Sequence, residues 1–513
     1  MKLFKVSFHA AILLFAFVIQ AKGISQEPLI DGQGIVTTRH QINLAGKTLS
    51  YTARTGLLPI RVNDTGTPHG HIFFTAYTVE RGAEEPQRPL AFLWNGGPGS
   101  NSVLVHLEAF GPKRFSPEGA AGKTTIPLET NQTTWLDEMD LVFVDPVGTG
   151  YSRPTRIVYG PEFFSTLGDI ASISEFIRVY LTRFDAWDVP LIIGGESYGA
   201  WRAGGVTEAL ERAGTKVSGV ILISGGIPMG PVVSDAMRAA LFIPTRTAAA
   251  FYHQRLEPSL QTDLQEALGA AEDWAQTQYG PALADPSIRS AEINAAIVGQ
   301  LSRFTGLKAN LIDDQTLVVR RRQFAEQLLQ DKGSILGRFD TRQKSPATGE
   351  SDSHNDGVRA RTVVRYLRQE LGFKTDLAYQ GMETGYIPVT PERPAPRWDY
   401  NHSRAVAAMS GASKESPLRR LVYDGPPGGS DPWLQNALEI NPNLKVFVAA
   451  GLYDSLNSCP FNEYLVSQLE AAIAANFMTR CYVGGHMMYE DEETRAPLKR
   501  DLVEFIRKIV SVR

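Results

Sequence analysis

The sequence predicts an α/β protein with a mainly parallel central sheet and a largely helical insertion. Several short segments are apolar throughout, which is typical of strands buried on both faces. Segments with helical spacing separate them, as crossover helices do in parallel sheets. The apolar runs are Leu141–Val144, Leu191–Ile193, Val220–Ile223 and Leu444–Ala450, and the first helical segments are Leu167–Phe184 and Tyr198–Arg212.

The N-terminus predicts export from the cytoplasm. A short basic start precedes a mostly apolar stretch from Val6 to Ile19, and Ala21 and Gly23 have the spacing that a signal peptidase reads. We therefore expect residues 1–23 to be a cleaved signal peptide and the mature protein to be secreted or periplasmic. The alternative, a retained membrane anchor, needs about 20 apolar residues, more than this run offers.

The core is predicted in two parts. An alternating segment at 46–52 and a segment at 71–77 rich in aromatic and β-branched residues indicate antiparallel strands that lead into the sheet. We assign 24–229 to the first part of the core, 230–405 to a helical cap insertion and 406–513 to the second part, which closes with a strand near Cys481 and a helix from about Ala496. A cap that shapes a substrate pocket is one interpretation of the insertion, and plain structural enlargement is the other.

Composition excludes several classes of function. Lys and Arg number 51 and Asp and Glu 55, a net charge of −4 without long blocks of one sign, so nothing favours nucleic acid or a membrane surface. The two cysteines, Cys459 and Cys481, are too few for a structural zinc site. They form either one disulfide or two separate buried thiols.

The first chemical motif is the turn 195–199, Gly-Glu-Ser-Tyr-Gly. This pattern places a nucleophilic serine, here Ser197, between a strand and a helix. Its glycines avoid clashes with neighbouring backbone, and the N–H of Tyr198 lies at a helix N-terminus, where it can stabilise an oxyanion. The apolar strand before this turn and the helical pattern after it favour the functional interpretation.

A serine nucleophile needs a base, and the base needs an orienting carboxylate. His486 lies between the last predicted strand and the last helix, and Asp454 follows the apolar run that ends at Ala450. Both positions fit the order Ser, acid, His of this arrangement. An Asp after a strand is otherwise a common turn former, so the assignment of Asp454 as the acid depends on this chain order.

A second oxyanion donor is expected from an earlier loop. The sequence Asn-Gly-Gly-Pro-Gly at 95–99 follows an apolar strand and allows close backbone approach. An ordinary Gly/Pro turn is the alternative.

These motifs together resemble the serine carboxypeptidase family of α/β-hydrolases, and its bacterial branch in particular. The segments 95–99, 195–199 and 485–487 match that family's substrate-binding, nucleophile and histidine signatures, and 145–152 and Trp135 are similar to further landmarks. The resemblance covers both parts of the core but not the insertion. It implies an α/β-hydrolase fold and no cofactor or metal.

The resemblance also implies roles for individual residues. Ser197 is the nucleophile, His486 the general base and Asp454 its orienter, and the amides of Gly97 and Tyr198 form the oxyanion hole. Asn95 and Glu196 bind the carboxylate of the substrate's last residue. A preference for acidic pH follows, since a protonated Glu196 donates a hydrogen bond to a carboxylate that its ionised form would repel.

Two departures from the family pattern stand out. Ser100 replaces a frequent cysteine, which leaves at most one disulfide, Cys459–Cys481, between the two catalytic loops. The family's helix after 95–99 usually carries a Glu that pairs with the Glu before the serine. That position holds Ala109, and Glu108 is turned by about 100° around a helix.

The sequence thus predicts a secreted serine carboxypeptidase that acts on peptides with a free C-terminus. An esterase, a dipeptide-releasing peptidase or an acyltransferase with the same triad is the alternative. A non-enzymatic binding protein that retains the fold is a third hypothesis, from a different class.

Overall fold

The fold of this chain is known from a computed structural model, which describes residues 29–30, 34–82, 85–119, 124–347, 354–381, 398–400 and 431–510. The predicted signal peptide lies outside these ranges, as does most of the chain between 382 and 430. Within the described residues, no helix combines the length and apolarity needed to cross a membrane.

One large sheet organises the molecule. The strands in chain order are β1 (Leu29–Ile30), β2 (Val36–Leu44), β3 (Lys47–Arg61), β4 (Pro68–Val79), β5 (Leu90–Trp94), β6 (Lys113–Phe115), β7 (Leu128–Thr130), β8 (Asp140–Asp145), β9 (Arg153–Pro154), β10 (Leu191–Glu196), β11 (Gly219–Ile223), β12 (Ser334–Leu336), β13 (Lys344–Pro346), β14 (Lys445–Gly451) and β15 (Phe477–Tyr482). The sheet order is β1-β2-β3-β4-β8-β5-β10-β11-β14-β15, with β9 beside β4.

The pairing within this sheet changes from antiparallel to parallel along its width. Strands β1 to β4 pair antiparallel, and β4 pairs antiparallel with β8. From β8 onward through β5, β10, β11, β14 and β15 every pair is parallel. The predicted fold class, an α/β sheet that is mainly parallel, is confirmed.

Both faces of the inner parallel strands β5, β8, β10, β11 and β14 are buried, as their continuous apolar sequences predict, whereas the edge strand β15 is only partly buried. On β11, Ile221 packs into one apolar cluster and Leu222 into a second on the opposite face. The helices are Gly160–Phe163, Thr166–Arg183, Tyr198–Arg212, Asp235–Ala240, Ile243–Tyr252, Leu264–Trp274, Gly280–Ala284, Ala291–Thr305, Arg321–Gln327, His354–Gln369, Trp433–Ile440, Cys459–Ser467, Ala471–Ala474 and Glu492–Val510.

Two helix starts in the later part of the chain are informative. Helix Leu264–Trp274 begins where Asp263 caps it by accepting hydrogen bonds from the amides of Gln265 and Glu266 at 2.7 and 3.0 Å. The last helix begins at Glu492 and carries Pro497 inside it, so it starts earlier than the expected Ala496.

The predicted cap insertion has two packing environments. Helices between Asp235 and Gln327 form a third apolar cluster of their own, in which the ring centroids of Trp274 and Phe304 lie 5.4 Å apart. Helix His354–Gln369 instead packs Val363 and Leu367 against the cluster on the main sheet. The domain boundaries at 229 and 405 remain predictions.

Candidate active site

Ser197 occupies a strained turn between β10 and helix Tyr198–Arg212. Its φ is 59° and its ψ −126°, a conformation that a residue with a side chain rarely adopts and that surrounding structure must enforce. The Ser197 amide donates to the carbonyl of Ile223 at 2.8 Å, which ties the turn to the neighbouring strand. Glu196 and Tyr198 are buried while Ser197 is half-buried, so the turn presents its hydroxyl outward.

Asp454 and His486 lie in the loops that follow β14 and β15, two strands that are neighbours in the sheet. The Nδ1 of His486 and the Oδ2 of Asp454 are 2.8 Å apart, and the two side chains are 3% and 0% exposed. The amide of Leu456 donates to the other Asp454 oxygen at 2.8 Å. The Nε2 of His486 has no hydrogen-bond partner among the described groups, so it is available to exchange a proton.

Two opposing effects act on His486. Burial lowers its pKa, but the charge of Asp454 and the hydrogen bond to it outweigh that effect, and the charge of Glu196 adds to them. The pKa of His486 therefore lies above its ordinary value. The pairing with the Asp454 carboxylate makes this imidazole a stronger base than an isolated one.

The loop 95–99 packs directly on the nucleophile turn. A Cβ on Gly96 would lie 2.6 Å from the Tyr198 nitrogen, so only glycine allows this approach. The indole nitrogen of Trp94 donates to the carbonyl of Gly199 at 2.8 Å. The buried guanidinium of Arg202 donates to the carbonyl of Asn95 at 2.8 Å. These contacts bring both predicted oxyanion donors, Gly97 and Tyr198, to one edge of the sheet.

Glu196 is enclosed beneath this edge, with 3% of its surface exposed. The hydroxyl of Tyr489 donates a hydrogen bond to its Oε2. Burial raises the pKa of Glu196 to about 7, against smaller lowering effects from the His486 charge and the Tyr489 hydrogen bond. Its carboxyl is therefore largely neutral in weakly acid solution.

Asn95 is buried beside Glu196. Its Oδ1 accepts a hydrogen bond from the amide of Val105 at 3.1 Å, which fixes the side chain. The Asn95 side chain also lowers the pKa of Glu196 and so favours its ionised form. The Nδ2 of Asn95 is buried and has no hydrogen-bond partner among the described residues. A buried donor without a partner is costly, so this amide is suited to bind a substrate oxygen.

Comparison with known families finds a similar sequence for the part of the chain that carries the loop 95–99 and the nucleophile turn. The profile of the serine carboxypeptidase family matches residues 46–267, which include both the 95–99 loop and Ser197. Over these residues the chain is similar to the serine carboxypeptidase family. The predicted resemblance is confirmed at the level of the family.

Individual relatives match over part of their length. The pheromone-processing carboxypeptidase KEX1 of Komagataella phaffii is 30% identical over 151 residues, 29% of this chain and 22% of that protein. A carboxypeptidase Y homolog from Arthroderma benhamiae is 28% identical over 182 residues, 34% of each chain. The chain thus spans about a fifth to a third of the length of these curated relatives.

A solved structure extends the likeness of fold to nearly the whole chain. The crystal structure of Kex1Δp, a prohormone-processing carboxypeptidase from Saccharomyces cerevisiae, aligns with a TM-score of 0.53 over 89% of this chain and 91% of that one. Sequence identity in this alignment is 16%, so the match shows a common fold.

Position 109, where the resemblance implies a second carboxyl near Glu196, holds an alanine in this chain. Residues Val105–Phe110 form a π-helical turn in which Ala109 is buried, while the Glu108 carboxyl is surrounded by Glu490 and the cations Arg359, Arg495 and Arg114. Burial raises the pKa of Glu108 to about 7. The phenol of Tyr489, which the sequence analysis did not single out, donates a hydrogen bond to Glu196.

The two cysteines form a disulfide, Cys459–Cys481, with their Cα atoms 5.6 Å apart. Cys459 begins the helix after the Asp454 loop, and Cys481 lies on β15 before the His486 loop. The bond therefore joins the segment next to Asp454 to the segment next to His486.

A short segment between β12 and β13 supports His486, and sequence reasoning missed it. The carbonyl of Phe339 accepts a hydrogen bond from the His486 amide at 2.6 Å, and the two rings are 5.4 Å apart. The Thr341 amide donates to the carbonyl of Tyr453 at 3.0 Å. Arg342 pairs with Asp491 in the loop after His486 at 2.7 Å. Two of these four links use main-chain atoms, which leave no sequence signal.

The other family landmarks are structural. The ring of Trp135 stacks on Phe110 with centroids 3.6 Å apart. The buried Asp145 carboxylate accepts hydrogen bonds from the Ser102 amide and the Tyr379 hydroxyl, both at 2.8 Å. Among the residues that the structure describes, no cluster of His, Cys, Asp and Glu is suited to hold a metal ion.

Proposed function

We propose that this chain is a serine carboxypeptidase that removes the last residue of a peptide through an acyl-enzyme on Ser197. One observation carries the proposal: the His486 imidazole is held at Nδ1 by the buried Asp454 carboxylate at 2.8 Å, with its Nε2 unpartnered, at the sheet edge that presents the strained Ser197. This arrangement supports a nucleophile, base and orienter on a rigid framework.

The reaction follows from these positions. The Ser197 hydroxyl attacks the carbonyl carbon of the last peptide bond while Nε2 of His486 takes its proton. His486 then gives that proton to the departing amine, and the acyl group stays on Ser197. Water repeats the sequence, with His486 as base, and releases the shortened peptide.

The developing oxyanion is assigned to the amides of Gly97 and Tyr198. Tyr198 is the first residue of its helix, so its N–H has no intrahelical acceptor and lies at the positive end of the helix dipole. Gly97 follows Gly96, which packs against that same amide.

The free carboxylate of the substrate is assigned to Asn95 and Glu196. The unpartnered Nδ2 of Asn95 is a donor for one carboxylate oxygen. A protonated Glu196 supplies a second hydrogen bond, whereas the ionised form would repel the ligand.

Two groups set the expected pH range. Glu196 must be protonated, so binding of the free acid declines as the pH rises through about 7. His486 must be neutral, and its raised pKa makes turnover fall as the pH drops below that value. Because the charge of each group affects the pKa of the other, we expect a bell-shaped dependence of activity on pH with a weakly acid optimum. Its two limits are properties of the coupled pair Glu196 and His486.

The remaining assignments concern location and organisation. We propose export through the 1–23 signal peptide, peptide substrates without a cofactor, and a cap role for 230–405 over the active site. Contact between Phe339 of this stretch and His486 supports that role.

Another acyl transfer reaction is the second candidate, as an esterase, a dipeptide-releasing peptidase or an acyltransferase. The observation that favours it is the phenol of Tyr489 on Glu196 in place of a second carboxyl. A site built in this way could read a different group at the same position.

One assay separates these candidates. The mature protein is given an N-blocked dipeptide with a free carboxylate, the corresponding C-terminal amide and a simple ester. A carboxypeptidase hydrolyses the free acid far better than the amide below pH 7. Equal turnover of acid and amide would contradict carboxylate recognition, and full activity in Ser197→Ala would contradict the mechanism.

A further inference from the structure

Tyr489 has no role in the proposed triad, yet it is placed against the residue expected to read the substrate's C-terminus. It lies in the one-turn helix Met488–Glu490 that directly follows the His486 loop and is 1% exposed. Its hydroxyl donates to Oε2 of Glu196. Oε1 is thereby left as the oxygen with which this carboxyl can meet a ligand.

The position of Tyr489 is fixed by its own neighbours. Its carbonyl accepts a hydrogen bond from Nη1 of the buried Arg495 at 2.6 Å. Its ring packs edge-on against Phe110, with centroids 5.6 Å apart. Arg495 also donates to the carbonyl of Glu108 at 2.9 Å, which connects this turn to the π-helical turn after the 95–99 loop. The phenol is thus a preorganised donor.

Several charged or polar groups face this contact. The titratable groups that act on Glu196 besides Tyr489 are His486 and Glu490, and the uncharged amide of Asn95 also favours its ionised form. Glu490 and Glu108 are the other acids whose charge acts on the phenol. Tyr489 is a neutral donor, so it can stabilise the Glu196 carboxylate without adding a second negative charge.

We propose that Tyr489 is a positioning residue for C-terminal carboxylate recognition: its hydroxyl anchors Oε2 of Glu196 and keeps the Oε1 hydroxyl of the protonated acid turned towards the substrate carboxylate. This inference rests on the proposed function. Through its hydrogen bond, Tyr489 then lowers the pH at which Glu196 ionises and free-acid binding is lost, while the triad sets the lower pH limit.

Two consequences follow from loss of the phenol hydroxyl. Without its anchor, the acid proton of Glu196 can lie on either oxygen, a statistical factor of about two, so the low-pH KM for the free acid rises about two- to tenfold, where the upper value is the effect of one whole hydrogen bond. The ionised carboxylate also loses a donor, so the midpoint of the pH dependence moves upward by about one unit.

The experiment measures KM for an N-blocked dipeptide and for its C-terminal amide between pH 5 and 9, in the wild type and in Tyr489→Phe. For Tyr489→Phe we expect a raised free-acid KM at low pH and an unchanged KM for the amide. The pH midpoint at which the preference for the free acid over the amide is lost should move upward. Tyr482→Phe is the matched control, because Tyr482 lies on β15 and its hydroxyl donates at 2.6 Å to Asp501, a carboxylate other than Glu196.

Specific results would overturn the proposal. An unshifted midpoint in Tyr489→Phe, or an equal shift for acid and amide, would mean that Tyr489 does not act through carboxylate recognition. Glu196→Gln provides a second test should Tyr489→Phe fold poorly: its free-acid KM must lose the midpoint near 7, and retention of that midpoint would overturn the inference. A wild type that does not prefer the acid would instead contradict the proposed function.

Discussion

A single methyl group at Gly96 tests the contact between the 95–99 loop and the nucleophile turn. The Cβ of Gly96→Ala would lie 2.6 Å from the Glu196 carbonyl oxygen and the Tyr198 nitrogen, and 2.7 Å from the Gly199 nitrogen. All three are backbone atoms, so no side-chain rotation relieves the clash. The loop and the turn must move apart.

The size of this movement sets the expected effect. Ordinary van der Waals contact begins at 3.4 Å, so the separation grows by about 0.8 Å, a displacement that can reduce a rate about 100-fold. Loss of one oxyanion donor, as when Gly97 moves with the loop, costs about 100- to 1,000-fold. We therefore expect kcat for an N-blocked dipeptide to fall by about 100-fold or more.

Gly299→Ala is the matched control for this substitution. Gly299 lies in helix Ala291–Thr305 with nothing within 4 Å of the added methyl. Alanine in a helix interior is favoured over glycine by about 0.5–1 kcal/mol, so Tm rises slightly and kcat is unchanged. Wild-type kcat in a folded Gly96→Ala would refute the argument that this loop and the turn form the oxyanion hole together.

Three further substitutions test the site and its framework. In Asp454→Asn, loss of the carboxylate that orients the imidazole should lower kcat by about 10,000-fold with little change in Tm; a loss under tenfold would contradict its role. Arg202→Met leaves its buried carboxylate partner uncompensated and should cost about 3–5 kcal/mol in urea denaturation, whereas the exposed Arg178→Met should cost under about 1 kcal/mol; equal costs would contradict this. Serine at both Cys459 and Cys481, which are separated by 22 residues, should cost about 3 kcal/mol, and an unchanged unfolding midpoint would contradict a stabilising bond.

The sequence predicted the parallel half of the sheet well, because strands buried on both faces have continuous apolar sequences that few other elements share. It did not predict the strand order. Strand β8 lies between β4 and β5 although it follows both in the chain, a placement set by tertiary packing. The two environments of the insertion were also beyond sequence reasoning, since the apolar faces of Leu264–Trp274 and His354–Gln369 look alike but pack on different clusters.

The residues proposed for chemistry were named from the sequence because local motifs at strand ends carry them. The residues that hold them in place were not predicted from the sequence. Tyr489 lies three residues after His486 with no pattern that indicates its contact with Glu196. The Phe339 carbonyl acts through the backbone, and any residue could supply it. Such long-range contacts depend on how loops meet in space.

The most direct test of the central claim is active-site labelling with a fluorophosphonate, mapped by peptide mass spectrometry. We predict one adduct, on Ser197, that abolishes release of the C-terminal residue in proportion to its occupancy. The adduct should be absent in Ser197→Ala and form far more slowly in His486→Ala, because Nε2 can no longer accept the serine proton. An adduct on another residue, or peptide hydrolysis that persists after complete labelling of Ser197, would contradict the assignment.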